Sequence, residues 1–128
     1  MITLDITPAA KPRMTQSDRW NDRKCVQLYW QFKDEVRLAM NGRDFPHPAH
    51  IVFVLPMPTS WSEKRKRQHD GQPHCQRPDW DNLAKALTDA LFDEDSHLFD
   101  VRVTKRWGRE GRILIYPMTD AFCLSAAS

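Results

Sequence analysis

The sequence predicts an α+β domain in which helices pack on a mixed β-sheet. Three observations carry that expectation. Strand-type and helix-type periodicities alternate along the chain in the order β, α, β, loop, α, β, β. The run "HIVFVLPMP" is continuously apolar, rich in β-branched residues and bounded by prolines, as a central strand is. The segment from Asp81 to about Phe92 places Leu83, Ala84, Ala86, Leu87, Ala90 and Leu91 on one broad face and Asp81, Lys85 and Asp89 on the other.

The remaining elements follow in chain order. Ile2, Leu4 and Ile6 alternate with polar residues, a short half-buried strand ended by Pro8 and Pro12. Ser17 or Thr15 caps a long helix with Cys25, Tyr29, Phe32, Val36, Ala39 and Met40 on its apolar side, and Asn41-Gly42 stops it. Residues 59–78 mix charges with Gly71, Pro73 and Pro78 and are expected to form a mobile basic connection with at most a helical turn near Lys64. Val101, Val103 and Trp107 lead through "GREG" into "RILIYP", which reads as a β-hairpin, and residues 117–128 read as a loose tail.

A chain of 128 residues with 41% hydrophobic content supports one core, hence one domain spanning residues 1–128. Its start lacks the apolar run of a signal peptide, and no stretch approaches the ~20 apolar residues of a membrane span. Three widely spaced cysteines, Cys25, Cys75 and Cys123, contain no CxxC and suit a reducing cytoplasm better than a disulfide scaffold.

The formal net charge of +2 hides an uneven distribution. From Asp79 to Asp100 there are seven acids against one base, Lys85. Residues 63–77 carry Lys64, Arg65, Lys66, Arg67 and Arg77 against two acids, and residues 101–116 carry Arg102, Lys105, Arg106, Arg109 and Arg112 against one. Such runs form solvated faces in many domains. Here they also suit a polyanion held by basic arms while an acidic centre recruits cations.

"RPDWDN", residues 77–82, sits at the acidic centre. Pro78 sets the backbone ahead of the helix, leaving Asp79 as its cap and Asp81 in its first turn, where the positive end of the helix favours negative charge. Capping alone explains that much. The later "DED" at residues 93–95 adds a third carboxylate within reach of the same side of the sheet. Clustered carboxylate oxygens suit a hard divalent cation, magnesium above all, which keeps several waters and leaves room for phosphate. His69, His74 and Cys75 lack a fourth ligand at a recognised zinc spacing. Lys85 lies one turn beyond Asp81. It is either an ordinary ion-pair partner or a cation placed to neutralise charge on a reacting phosphate.

The stretch "PMPTSWSEKRKRQHDGQPHCQRPDWDNLAKALTDALFDEDSHLFDVRVTKRW" resembles the RusA family of Holliday junction resolvases, and "KPRMTQSDRW" resembles its phage-type members. The shared features are a basic loop, DxDN opening a helix, a lysine four residues on, and an acidic turn leading to a strand. The resemblance implies a homodimer that binds four-way junction DNA and makes paired symmetric cuts with Mg2+. It implies metal-binding and catalytic roles for Asp79, Asp81 and Asp95, with Asp100 the alternative to Asp95, and a catalytic role for Lys85. Glu94, standing where the family has an aspartate, departs from the pattern. Lys64, Arg65, Lys66, Arg67, Arg77, Lys105, Arg106 and Arg109 are expected on DNA backbones. Trp61, Trp80 and Trp107 suit either base stacking or the core, and Trp80 is expected in the core. Two other functions fit the same residues: a non-catalytic DNA-binding module, and a magnesium nuclease for other branched or single-stranded nucleic acid.

Overall fold

The structure is a computed structural model and describes residues 1–12, 24–94 and 96–118. Four strands and three helices follow in the order β1 (Ile2–Leu4), α1 (Lys24–Met40), β2 (Ala49–Pro56), α2 (Glu63–His69), α3 (Trp80–Leu91), β3 (Val101–Gly108) and β4 (Arg112–Pro117). The strands form one mixed open sheet in the order β1-β4-β2-β3, as an α+β fold requires. β2 runs parallel to β3, with Ala49 opposite Val101 and Pro56 opposite Gly108. It runs antiparallel to β4, which is itself antiparallel to β1.

β2 is central because its residues are apolar on both faces. Ala49, Ile51, Phe53 and Leu55 point into the core, and Val52 is buried on the opposite side. Its backbone groups then need partners along both edges, which β3 and β4 supply. This arrangement corrects the expected hairpin: β3 and β4 follow one another in sequence but lie on opposite sides of β2. Their connection crosses the end of β2, where the amide of Met57 donates to the carbonyl of Gly108 at 3.0 Å. A Cβ on Gly108 would collide with the side chain of Val54. Gly108→Ala is therefore expected to cost about 1–3 kcal/mol through overpacking, read as a lower urea midpoint.

Helices α1 and α3 cover one face of the sheet. Tyr29, Phe32, Val36 and Met40 of α1 share one core cluster with Leu83, Ala86, Leu87 and Ala90 of α3 and with Ile51, Phe53, Ile113 and Ile115 of the sheet. Cys25, expected on the apolar side, is exposed in the first turn of the helix, and Val26 beside it is buried. The caps expected at Thr15 and Ser17 lie outside the described residues. The stop at Asn41 and Gly42 is present, with φ of 28° and 81° and the amide of Asn41 donating to Arg37. No helix among the described residues is long and apolar enough to cross a membrane.

Residues 59–78 are more ordered than a mobile connection. Ser62 caps α2 by accepting from the amide of Arg65 at 3.2 Å, and the Arg65 guanidinium lies 4.0 Å from the centre of the Trp61 ring. Gly71 through His74 then line the outer edge of β3. Gly71 donates to Trp107, Trp107 to Gln72 and His74 to Lys105. These bonds satisfy an edge that charge-rich sequence alone does not reveal.

Candidate functional site

Asp79 occupies the N-cap position of α3 with extended backbone (φ −70°, ψ 148°), and its carbonyl accepts from the amide of Leu83 at 3.2 Å. Its carboxylate makes no capping hydrogen bond. The residue thus has the backbone of a cap while its charged group faces outward, exposed. Asp81, one residue into the helix, accepts from the amide of Asn82 at 3.0 Å through Oδ1. Trp80 stands between the two aspartates and is 59% exposed. The expectation of a core tryptophan fails although residue 80 lies three and seven residues before Leu83 and Leu87: as the first residue of the helix it lines an open groove with Asp81 and Val103 instead of entering the core.

Two shallow depressions, with no lining residue in common, lie at this helix entrance. Asp79 lines one with Arg77, Pro78 and Asn82. Asp81 lines the other, an open groove of about 360 Å³ between α3 and β3, together with Trp80, Lys85, Thr88, Leu98 and Val103. Asp81 and Lys85 are thus brought into one groove, with Asp79 at its neighbour. Asp95 lies outside the described residues. Asp100 follows a turn held by His47, whose Nε2 accepts from the amides of Phe99 and Asp100, each at 3.1 Å.

The strap leading into Asp79 is fastened by Lys105. Its ammonium donates to the carbonyls of Gln76 at 2.7 Å and Pro78 at 2.8 Å, across a cis Arg77–Pro78 bond. Beneath the strap His74 is buried, its ring 4.2 Å from that of Trp107. Burial, then the charge of Lys105, pushes its imidazole below the ordinary histidine value. Two of the three donors of Lys105, a residue expected on DNA, thus face the protein. Lys105→Met is expected to cost about 1.5–3 kcal/mol, the worth of hydrogen bonds from a charged donor, read as a lower urea midpoint.

The other basic residues surround the site unevenly. Lys64, Arg65, Lys66 and Arg67 lie along α2, which buries no residue. Arg77 lines the depression beside Asp79. Arg106 and Arg109 line a separate groove of about 650 Å³ on the sheet face that α1 and α3 leave open, where His50, Arg112 and Tyr116 also lie. Arg109 reaches Glu63 of α2 at 3.1 Å. This larger groove is remote from the aspartates, so size alone does not locate the chemistry.

Sequence reasoning missed the surroundings of Asp89. Its Oδ2 accepts from the Lys11 ammonium at 2.8 Å and from the Tyr29 hydroxyl at 3.1 Å, and its Oδ1 lies 3.4 Å from the Lys85 ammonium. Burial raises the Asp89 carboxyl, but the bonds from Lys11 and Tyr29, with the charges of Lys11 and Lys85, outweigh burial and hold it below the ordinary value. Burial and the same carboxylate push Tyr29 up to about 12. The spacing of Lys85 and Asp89, one helical turn, was visible in the sequence; Lys11 and Tyr29 are too distant along the chain for any local pattern to reveal.

The donor chemistry around α3 fits a hard divalent cation. Asp79 and Asp81 offer carboxylate oxygens at the positive end of a helix, and magnesium is satisfied by one or two carboxylates with water completing its shell. No set of three such ligands is assembled among the described residues. Exposed carboxylates and an ammonium at this helix entrance, with basic side chains around them, suit the class of proteins that handle phosphodiesters. Residues 4–116 match the family model for endodeoxyribonuclease RusA, and the chain belongs to that family of divalent-metal-dependent nucleases. No curated protein matches the chain.

Proposed function

We propose that the chain is a magnesium-dependent Holliday junction endonuclease that acts as a homodimer and makes paired cuts in opposed strands. The observation that carries this is the Asp79 carboxylate, which stands at the mouth of α3 without serving as a helix cap, two residues before Asp81, which lines one groove with Lys85. A residue retained only to start the helix would spend its side chain on the free amides of the first turn.

Asp79 and Asp81, with Asp95 as the third carboxylate, would hold magnesium. When bound, the ion supplies activation of water and stabilisation of charge on the departing 3′ oxygen. Asp79 and Asp81 bring negative charge to an entrance that the helix makes locally positive. Lys85 brings an ammonium into the groove beside Asp81, where it neutralises charge gathering on a phosphate. Basic α2 and Arg77 draw the DNA backbone toward the entrance, and Arg106 and Arg109 offer cations on the open sheet face for a different stretch of backbone. A four-way junction has near two-fold symmetry, and two opposed cuts call for two copies of the site, which an isologous dimer provides.

The test incubates the protein with a mobile four-way junction, a linear duplex and a single strand, each with magnesium or with chelator. Paired nicks confined to the junction and dependent on magnesium support the proposal. Junction binding without any product refutes it in favour of a binding module, and equal cutting of the duplex or single strand refutes junction selectivity.

A further inference from the structure

The Asp89 carboxylate draws together three segments distant in sequence. Lys11 comes from the stretch after β1, whose backbone amide also donates to the carbonyl of Asn82 at 3.2 Å, beside Asp81. Tyr29 comes from the buried side of α1. Lys85 lies on α3 itself, four residues before Asp89. The Asp89 side chain is only 20% exposed, whereas that of Lys85 is 48% exposed. One end of the ion pair is therefore anchored and the other reaches into the solvent-filled groove.

Lysine has a flexible four-carbon stem, and an exposed ammonium normally samples many rotamers. Helical side chains also lean toward the helix N-terminus, which for Lys85 is the direction of Asp81. Lys85 instead reaches toward the C-terminus to meet Asp89. The carboxylate that draws it there is itself fixed by two further donors. An ordinary surface ion pair has no such anchoring and holds nothing in place.

We infer that Asp89 is a positioning residue for Lys85, with Lys11 and Tyr29 as the supports that fix the carboxylate. Asp89 competes with Asp81 for the ammonium and so limits neutralisation of Asp81, which is left to serve a cation. It also confines the ammonium to one stripe of the groove, from which it meets a phosphate with less ordering to complete. Lys11 adds a second positive charge to the same carboxylate, which keeps Asp89 ionised. This inference rests on the proposed nuclease activity and on the role given there to Lys85.

The test compares Asp89→Asn, Asp89→Glu, Tyr29→Phe, Lys85→Ala and the Asp89→Asn/Lys85→Ala double variant. Single-turnover junction cleavage in magnesium is read beside junction affinity in chelator and circular dichroism. Asp89→Asn is expected to slow cleavage by about 10- to 100-fold, the cost of a misplaced catalytic group, with affinity nearly unchanged. Asp89→Glu restores part of the rate, and Tyr29→Phe, which keeps its ring in the core, gives a smaller loss in the same direction. Once Lys85 is alanine, Asp89→Asn should have no further effect on the rate. A purely structural tie would instead slow the Lys85→Ala enzyme by the same factor and so overturn the inference.

A second readout does not depend on cutting. In protein carrying 13Cε-lysine, the Lys85 signal is expected to move toward that of a free lysine in Asp89→Asn, and an unmoved signal overturns the inference. A Lys85→Ala enzyme that cuts at the wild-type rate overturns it too, while leaving the nuclease assignment standing. A wild-type chain that cuts no DNA refutes that assignment first, and the inference with it.

Discussion

Asp79→Asn is expected to slow cleavage of a four-way junction by on the order of 10²–10³-fold, the usual cost of deleting one preorganised electrostatic group from an active site. Junction affinity in chelator should hold or rise, because a negative charge has been removed from the place where phosphates approach. The substitution is unusually clean. Asparagine is as good an N-cap as aspartate, and the Asp79 side chain makes no cap hydrogen bond to lose. Thermal denaturation should therefore superimpose on that of the wild type, so the kinetic loss cannot be assigned to unfolding. Retained cleavage with a changed melting temperature would mean that the residue serves the helix alone. Single-turnover cleavage and fluorescence anisotropy on the same junction measure both halves of the prediction.

Phe53→Ala is expected to have the largest effect on the fold. The ring is fully buried at the middle of β2, with Lys105 of β3 on one side and Ile113 of β4 on the other in register. Truncating a buried phenylalanine costs about 3–5 kcal/mol, from lost apolar burial and the cavity left behind. Domains of this size are stable by only about 5–15 kcal/mol, so much of the total is at stake. The urea midpoint should fall steeply. Phe99→Ala supplies the contrast: that ring is 69% exposed, and its removal should change stability by no more than about 0.5 kcal/mol. Comparable losses at both positions would refute the assignment of the core to the sheet and its two helices.

The parts of the molecule legible in the sequence are those governed by neighbours along the chain. β2 announced itself by an unbroken apolar run, and α3 by a clean division between its buried and wet sides. The entrance of α3 was legible because Pro78, Asp79 and Asp81 act within one turn of each other. The β3–β4 relationship was not, since two strands joined by a short connection ordinarily pair, and only the demand of β2 for partners on both edges separates them. Order in residues 59–78 was missed for a related reason: backbone bonds from Gly71–His74 to the β3 edge depend on no side-chain pattern. Trp80 was misplaced because its phase, three residues before Leu83, suits the buried face, whereas its place as the first helical residue leaves it in an open groove. The Asp89 cluster needed Lys11 and Tyr29, whose meeting is a product of the finished packing.

The strand order has a bearing on when this chain becomes active during its synthesis. Every acidic residue assigned to the site lies between β2 and β3, yet β2 can acquire its first neighbour only once Val101–Gly108 has emerged from the ribosome and its second only once Arg112–Pro117 has. Lys105, which fastens the strap before Asp79, belongs to that late stretch. A nascent chain halted before β3 therefore carries nearly all the catalytic side chains without the scaffold that aligns them.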